Sequence, residues 1–599
     1  MSADVIRLLP DALANQIAAG EVIQRPASVV KELLENAIDA GATKIMVHVR
    51  EAGRQLIQVV DNGSGMSDMD TRMAVERHAT SKIVHPSDLN AIRTLGFRGE
   101  ALASIAAVSQ LEIKSRRHDS DIGSHLVIEA TDQKRHEPCA TAPGTTIWVK
   151  NLFFNVPARR KFLKGNPVEL RHIAETFQRV ALAHPLVHMQ LFHNDAELAS
   201  YPGTNLRQRV SQVFGMQSNK KLIPVAEETD IVRISGFVGK PEYARRTRGE
   251  QYLFVNQRFI RNPYLQHAIQ HAFDEVLAEG TFPLYVIYLE VDPSEIDVNI
   301  HPTKQEVKFG DESILYGFLK VAVRHAVARY GSTGSLDFEV PVYLNGNQDV
   351  KPAFPSHPGQ SFASPGTGKA VLQQWERLFT TNPATATNFG DQVILREEVP
   401  GEGILAGTRV AEQMAVLAQV HRKYILCEDT QGVLLVDQQA AHERVLFERF
   451  LAGHNDQAIG SQKVLFPLQL ELPPADAILL ESLLPGLAHL GFDIVSFGQH
   501  SFLIHGVPEG IEAAGEPGLV ELLLEQYKNG QHLKLPGRDR LYAAMARAGS
   551  LKRGKSLSQK EMQVLVDALL SCEVSWESPS GARCFLRYTL PEIDRKFKN

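Results

Sequence analysis

Residues 31–42 read KELLENAIDAGA. Glu32, Glu35, Asn36 and Asp39 fall within eight residues of an otherwise ordinary helical pattern. On a helix, Glu32 and Asn36 are i,i+4 neighbours, as are Glu35 and Asp39, while Glu32 and Glu35 are i,i+3. The four share one sector, and Leu33, Leu34, Ala37 and Ile38 fill the opposite face. Gly41 stands where a left-handed cap ends a helix. Like charges stacked without Lys or Arg cost roughly a few tenths of a kcal/mol per pair. A solvated face is the ordinary meaning of such a helix. The functional meaning is a magnesium site, because Mg²⁺ takes hard oxygen ligands and is shared with substrate phosphates. The Asn36 carboxamide oxygen can ligate it, and Glu32 can orient or deprotonate an attacking water.

A magnesium-nucleotide site needs companions, and three segments supply them. LIQVVDNGSGM (56–66) is a β-branched run ending in Asp61, with Gly63 and Gly65 behind it. A carboxylate at a strand end beside a glycine turn can accept from an adenine amino group. Alone, DNGSG is only a turn signal. RHATSK (77–82) and TLGFRGEALASIAA (94–107) place Gly96 and Gly99 before an alanine-rich helix, whose first N–H groups can cradle phosphate. APGTTIWVK (142–150) opens a strand with Gly144 and Thr145. By contrast PGTGKA (365–370) only mimics a phosphate loop, since Ala370 stands where a metal-binding hydroxyl belongs.

In this order KELLENAIDAGA, DNGSGM, TLGFRGEAL and PGTTIWV resemble the GHKL ATPases, the superfamily of gyrase, Hsp90, histidine kinases and MutL. NQIAAGEVIQRPASVVKELLENAIDAGA, RHATSKI, GFRGEALASI and FNVPARRKFLK narrow the resemblance to the MutL family of DNA mismatch repair proteins. It is almost unbroken over residues 5–165, continues in FVNQRFIR and DVNIHPTKQEVKF, and is looser after residue 409.

The resemblance implies a multidomain α/β and α+β chain. It begins with a GHKL (Bergerat) ATPase sandwich over 1–220 and a ribosomal-S5-domain-2-like transducer domain over 221–331. A disordered linker over 332–409 and an α/β C-terminal dimerisation domain over 410–599 follow. It makes Glu32 the water-activating base, Asn36 the magnesium ligand and Asp61 the adenine contact beside Gly63 and Gly65. Lys82, Gly96, Phe97, Arg98 and Gly99 become the phosphate lid, and Thr145 joins the nucleotide pocket. Lys304 reaches the γ-phosphate from the second domain, where a fixed cation offsets developing charge. The implied cofactors are ATP and Mg²⁺. The implied partners are a second copy, MutS and DNA, with a sliding clamp, a helicase and a separate endonuclease downstream. The implied location is cytoplasmic, at the nucleoid during repair.

The rest of the chain is consistent with that expectation. A length of 599 residues argues for several domains, and hydrophobic and charged shares of 44% and 22% are those of a globular protein. Four cysteines without a CxxC pair fit a reducing compartment, and no apolar run approaches the roughly 18 residues of a membrane span. Residues 332–409 are rich in Pro, Gly, Ser, Thr and Asn without periodicity, which reads as a linker; its QQWERLF island (373–379) is a candidate docking peptide. A net charge of −6 leaves DNA to local basic runs: Arg159, Arg160 and Lys161; Arg245, Arg246 and Arg248; Arg258 and Arg261. Without a recognition motif, contact would be with phosphates and indifferent to sequence.

The tail alternates strand-like runs (424–438) with helical ones (440–452, 474–491). QKVLFP (462–467) resembles the family's clamp-binding peptide, with an ordinary buried strand as the alternative. Many family members carry a metal-dependent nuclease there, marked by DQHAxxExxxxE, an ACxxxxRA-like segment and CPHGRP. This chain reads DQQAAHERVLFE, keeping Asp437, Glu443 and Glu448 but placing Gln439 at the ligand histidine. Ala544 and Met545, then Ser578 and Ser580, occupy the other ligand positions. These are poor metal ligands, so the nuclease is expected to be lost. A residual nicking activity is the alternative, as are other GHKL proteins. Against those, the first histidine is His48, behind the Asn-bearing helix and so wrong for a histidine kinase. The tail is short for a topoisomerase, and a chaperone has no need of the PARRK run.

Overall fold

The computed structural model describes residues 19–83, 85, 94–96, 99–130, 132–245, 250–277, 281–297, 307–332, 415–430, 432–452, 460–498, 500–508, 516–530 and 535–597. Phe97, Arg98, Arg246, Arg248 and Lys304 lie outside these residues, as do the decoy PGTGKA, the QQWERLF island and all but the first residue of the expected linker.

The KELLENAIDAGA helix, α1 (Pro26–Asp39), starts on a proline at its first turn, where the missing N–H costs nothing. It ends in a Schellman motif: Gly41 takes φ +71°, its N–H donates to Ile38 O at 2.9 Å, and Ala42 N–H donates to Ala37 O at 3.1 Å. Val29, Val30, Leu33, Leu34 and Ala37 are buried on one side. They meet the inward residues of two alternating strands, β1 (Lys44–Arg50) and β2 (Leu56–Asp61). Next come α2 (Asp68–Met73), α3 (Ala101–Ala107), β3 (Gln110–Arg116), β4 (Gly123–Glu129), β5 (Asp132–Cys139) and β6 (Gly144–Lys150). The first domain continues through α4 (Pro157–Phe162), α5 (Asn166–Ala183), β7 (His188–His193), β8 (Ala196–Tyr201) and α6 (Leu206–Phe214). Its eight strands run β5-β4-β3-β6-β2-β1-β7-β8, antiparallel but for the β1–β7 pair. Helices α1, α3 and α5 share a core with the sheet, a two-layer α/β sandwich. Arg209 of α6 is wholly buried. Its guanidinium donates to the carbonyls of Ala181, Pro185, Val187, Tyr201 and Pro202 at 2.7–3.3 Å, tying the end of α5 to the β7–β8 region.

The second domain holds β9 (Leu222–Glu228), β10 (Val232–Gly239), β11 (Gln251–Val255), β12 (Arg258–Ile260), α7 (Pro263–Ala272) and β13 (Tyr285–Val291). The sheet order is β12-β11-β13-β10-β9. A short pair, β14 (Ile296–Asp297) and β15 (Lys308–Phe309), precedes α8 (Glu312–Ser332), which packs on α7. Asn256 and Gln257 join β11 to β12 at φ +46° and +66°, the doubly left-handed geometry of a tight two-residue hairpin. The Asn256 side chain locks the turn, donating to Val291 O at 2.9 Å and accepting from Val291 N at 3.0 Å.

The tail forms a four-stranded sheet from β16 (Ala415–Val420), β17 (Tyr424–Asp429), β18 (Gly432–Asp437) and β22 (Phe585–Thr589). α9 (Gln438–Ala452) and α13 (Gln559–Ser571) share its core, and α14 (Leu590–Phe597) closes the chain. A second sheet of β19 (Ser461–Glu471), β20 (Asp493–Ser496) and β21 (Ser501–Pro508) packs with α10 (Pro474–His489), α11 (Glu516–Asn529) and α12 (Gly537–Gly549). The tail rests on the first domain: α10 lies along α5, and Ala475 joins the core of that domain. Among the described residues no helix is long and apolar enough to cross a membrane.

Candidate nucleotide site

Above the acidic, half-buried sector of α1 lies a cavity of about 1000 Å³. Glu32, Asn36, Asp61, Gly65, Lys82, Gly96, Gly99 and Thr145 all line it. Of the expected pocket residues within the described set, only Gly63 is not on the wall; its N–H donates to Asp61 Oδ1 at 2.9 Å from behind.

Asp61 ends β2 directly opposite Thr145 at the start of β6, so one strand pair sets both. Burial pushes the Asp61 carboxyl up to about 6, although backbone N–H groups of Gly63 and Thr145 pull the other way. Thr145 Oγ1 lies 2.9 Å from Ser115 Oγ, which also accepts from Met66 N at 2.8 Å. Ser115 is wholly buried and braces both the threonine and the turn after Asp61. Sequence reasoning missed it; a serine in an alternating strand carries no signal of its own. Gly65 takes φ +68°, and a Cβ there would meet Arg116 O at 2.0 Å, so only glycine lets this turn close on β3.

The acidic sector is not without basic partners, contrary to the expectation from its sequence. Lys31 Nζ lies 2.9 Å from Glu32 Oε1 and 3.0 Å from Glu35 Oε1. Burial alone would lower the Lys31 ammonium, but the two carboxylates outweigh it and hold it well above its usual value. Lys82 Nζ lies 2.5 Å from Asp39 Oδ2 and 3.1 Å from Asn36 Oδ1. Lys31 was in view, one residue before Glu32 and four before Glu35; Lys82 arrives from 43 residues beyond Asp39. Asp39 also accepts from Leu95 N and Gly96 N, each at 2.9 Å, so it fixes the turn before α3 onto α1. That role was not legible in the pattern. The Asn36 carboxamide oxygen accepts from an ammonium, as an oxygen able to bind a hard cation would, and its donor type suits Mg²⁺.

The basic runs divide. Arg160, Lys161 and Arg261 are exposed. Arg159 is half-buried over Gly20, where an added Cβ would come within 1.6 Å of its guanidinium. Arg245 does not belong with the free cations, because Glu250 at 3.0 Å and Glu521 at 3.7 Å already neutralise it. Arg258 turns inward to the Thr94 carbonyl.

In the tail, QKVLFP lies in β19, but the alternative of an ordinary buried strand is wrong for Leu465 and Phe466. Leu465 is 88% exposed and Phe466 74%, where the register with β21 breaks between Lys463 and Leu468. Around α9, Asp437 accepts from Gln439 N, Ala440 N and Arg553 at 3.0–3.1 Å. Glu443 accepts from Ser580 N and Oγ, and Glu448 from Glu573 N and Val574 N. His442 Nδ1 accepts from Leu551 N, and burial holds the ring down to about 4. Burial pushes the Cys584 thiol up to about 12.

A helix-over-sheet sandwich with an acidic and amide helix, a DxGxG turn and a lysine meeting over one cavity defines an ATPase of the gyrase and Hsp90 kind. The family profile "Histidine kinase-, DNA gyrase B-, and HSP90-like ATPase" matches residues 24–152. Two further profiles match, "DNA mismatch repair protein, C-terminal domain" over 210–328 and "MutL C terminal dimerisation domain" over 417–557. The DNA mismatch repair protein MutL of Christiangramia forsetii is 41% identical, covering 99% of this chain and 100% of that one. Its counterpart in Flavobacterium psychrophilum is 40% identical, with 99% of each chain covered. A solved structure of the Aquifex aeolicus MutL ATPase domain complexed with ADP is 31% identical, covering 45% of this chain and 94% of that one, at a TM-score of 0.35. The chain belongs to the MutL family of DNA mismatch repair proteins.

Proposed function

We propose that the chain binds ATP with Mg²⁺ over α1, hydrolyses it to ADP and phosphate, and as a homodimer couples mismatch recognition by MutS to strand incision made by another protein. The observation that carries this reading is the single cavity shared by Glu32, Asn36, Asp61, Lys82, Gly96 and Thr145. Asp61 accepts the adenine amino group. Lys82, already aimed at Asn36, offers its ammonium to the phosphates. Glu32 takes the proton of the attacking water. Asn36 would hold Mg²⁺, which when bound neutralises phosphate charge. Lys304 remains the proposed γ-phosphate contact, and Phe97 and Arg98 the proposed lid.

For the dimer, the outer face of the tail sheet offers an apolar row across four strands. Ala418 pairs with Leu426, Leu426 with Leu435 and Leu435 with Leu586. Leu586 is exposed within the row, and Leu417 and Tyr588 are exposed beside it, a face suited to a second copy. Leu465 and Phe466 offer two adjacent apolar side chains to a sliding clamp. Among the described residues of the basic runs, Arg160, Lys161 and Arg261 are exposed and offered to DNA phosphates.

Loss of the nuclease is supported by what the remaining acids hold. Asp437, Glu443 and Glu448 each accept two or more protein donors, and the ligand positions carry Gln439, Ala544, Met545, Ser578 and Ser580. The test is a supercoiled-plasmid nicking assay with Mn²⁺ beside an ATPase assay on the same preparation. Hydrolysis without nicking is expected, and Asn36→Ala should abolish hydrolysis. Nicking that Glu443→Ala or Asp437→Asn removes would overturn the nuclease reading, and an active Asn36→Ala the metal assignment.

A further inference from the structure

We infer that Arg258, in the second domain, is a positioning residue for nucleotide binding: it clamps the Thr94–Gly96 turn from outside the pocket while Asp39 holds it from inside. The inference rests on the nucleotide reading above and deepens it.

Thr94 and Gly96 both line the large cavity. The turn between them is closed by Thr94 Oγ1 donating to Gly96 O at 2.8 Å. Its Leu95 and Gly96 N–H groups go to the Asp39 carboxylate, which belongs to α1. Its Thr94 carbonyl faces the other way and accepts from the Arg258 guanidinium. One short turn is therefore bonded to α1 through its amides and to the second domain through a carbonyl.

Arg258 has little freedom to follow that turn passively. It is the first residue of β12, directly after the Asn256–Gln257 turn whose Asn256 side chain is locked twice to Val291. Its neighbour Phe259 stacks under Arg179 of α5 at 4.5 Å, and Tyr288 of the same sheet donates to Leu182 O at 2.7 Å. Lys31, Glu35, Leu95 and His184 share a small cleft with Arg258. Burial disfavours the guanidinium there, and the carboxylates of Glu35, Asp39 and Glu32 counter it. A cation placed against the acid set of α1, on a braced hairpin, ties the second domain's placement to the wall of the pocket. Coupling of this kind is reciprocal, so a nucleotide that pulls on Gly96 also pulls on the hairpin.

The experiment measures ADP affinity, ATPase KM and kcat, and thermal midpoint for the full chain and its Arg258→Met and Arg258→Lys variants. Arg258→Met should weaken ADP and raise KM by about tenfold, the size of one hydrogen bond from a charged donor. Arg258→Lys, which keeps one charged donor, should recover to within about threefold of wild type. The nucleotide-free thermal midpoint should move by less than about 2 °C in both. Arg233→Met, an exposed change in the same domain, is the control and should change nothing. ADP affinity of Arg258→Met within about twofold of wild type overturns the inference. So does an equal loss in Met and Lys variants accompanied by a lowered midpoint, which marks packing alone. Should Arg258→Met fail to fold, Arg258→Gln takes its place under the same criteria. A wild-type chain that binds no ADP would instead sink the nucleotide reading itself.

Discussion

Helix α1 gathers acids in one sector, α9 carries Glu443 and Glu448 with Asp437 just before it, and the two sets have opposite uses. On α1 the partners of Glu32, Glu35 and Asp39 include the flexible ammonium groups of Lys31 and Lys82, beside an open cavity. Around the start and middle of α9 the partners of Asp437, Glu443 and Glu448 include backbone N–H groups of Gln439, Ala440, Ser580, Glu573 and Val574. A lysine can swing from a carboxylate to a phosphate at small cost, because its ammonium is a point charge on a flexible stem. A backbone amide cannot leave without unfolding its turn. Glu32, met by a lysine at the cavity wall, is open to a substrate, whereas Glu448, met by two main-chain amides, belongs to the fold.

That contrast predicts where mutations hurt. The largest effect should come from Glu32→Ala, which removes the base but leaves the metal and adenine contacts. Its kcat should fall by about 10²–10⁴-fold with ADP affinity retained, and hydrolysis at the wild-type rate in a steady-state assay would break the α1 half of the comparison. Arg209 is the extreme of a charge given wholly to the fold. Arg209→Met should cost about 3–5 kcal/mol in urea unfolding, since five carbonyls lose their donor. Glu443→Ala should lower tail stability by about 1–3 kcal/mol by stranding the Ser580 donors, while ATPase activity stays unchanged. A drop in activity with unaltered stability would reverse the assignment of α9.

The smallest effect is a pH dependence. The Asp61 carboxyl, raised by burial to about 6, takes up a proton in the folded chain before the unfolded chain does. Its contribution to stability is therefore present at low pH and lost as pH rises through about 6. Adenine recognition needs the ionised form, so ADP affinity should fall about fourfold between pH 7.5 and 5.5. Asp61→Asn should bind more weakly and without that pH dependence. A flat wild-type profile in calorimetric titrations would remove Asp61 from the adenine contact.

Much of this was legible in the sequence, and the reasons are local. The apolar face of α1, the Gly41 cap and the strand into Asp61 follow from period and propensity alone. The order of the four nucleotide segments carried the family. What escaped depends on pairs distant in sequence: Lys82 with Asp39, Ser115 with Thr145, Arg258 with Thr94. The same blindness put Arg245 among the DNA contacts, because Glu521, which helps to neutralise it, lies 276 residues further on. Lys31 is the exception, an i,i+4 partner of Glu35 that the acidic sector eclipsed.

The apolar row across the tail sheet, from Ala418 through Leu426 and Leu435 to Leu586, has a consequence for how stability is measured. If a second copy covers that row, unfolding begins with dissociation, and mass action enters. The melting temperature of the tail then rises with protein concentration, and dilution acts as a mild denaturant. The copy number of the chain in the cell would then set how much of it is folded.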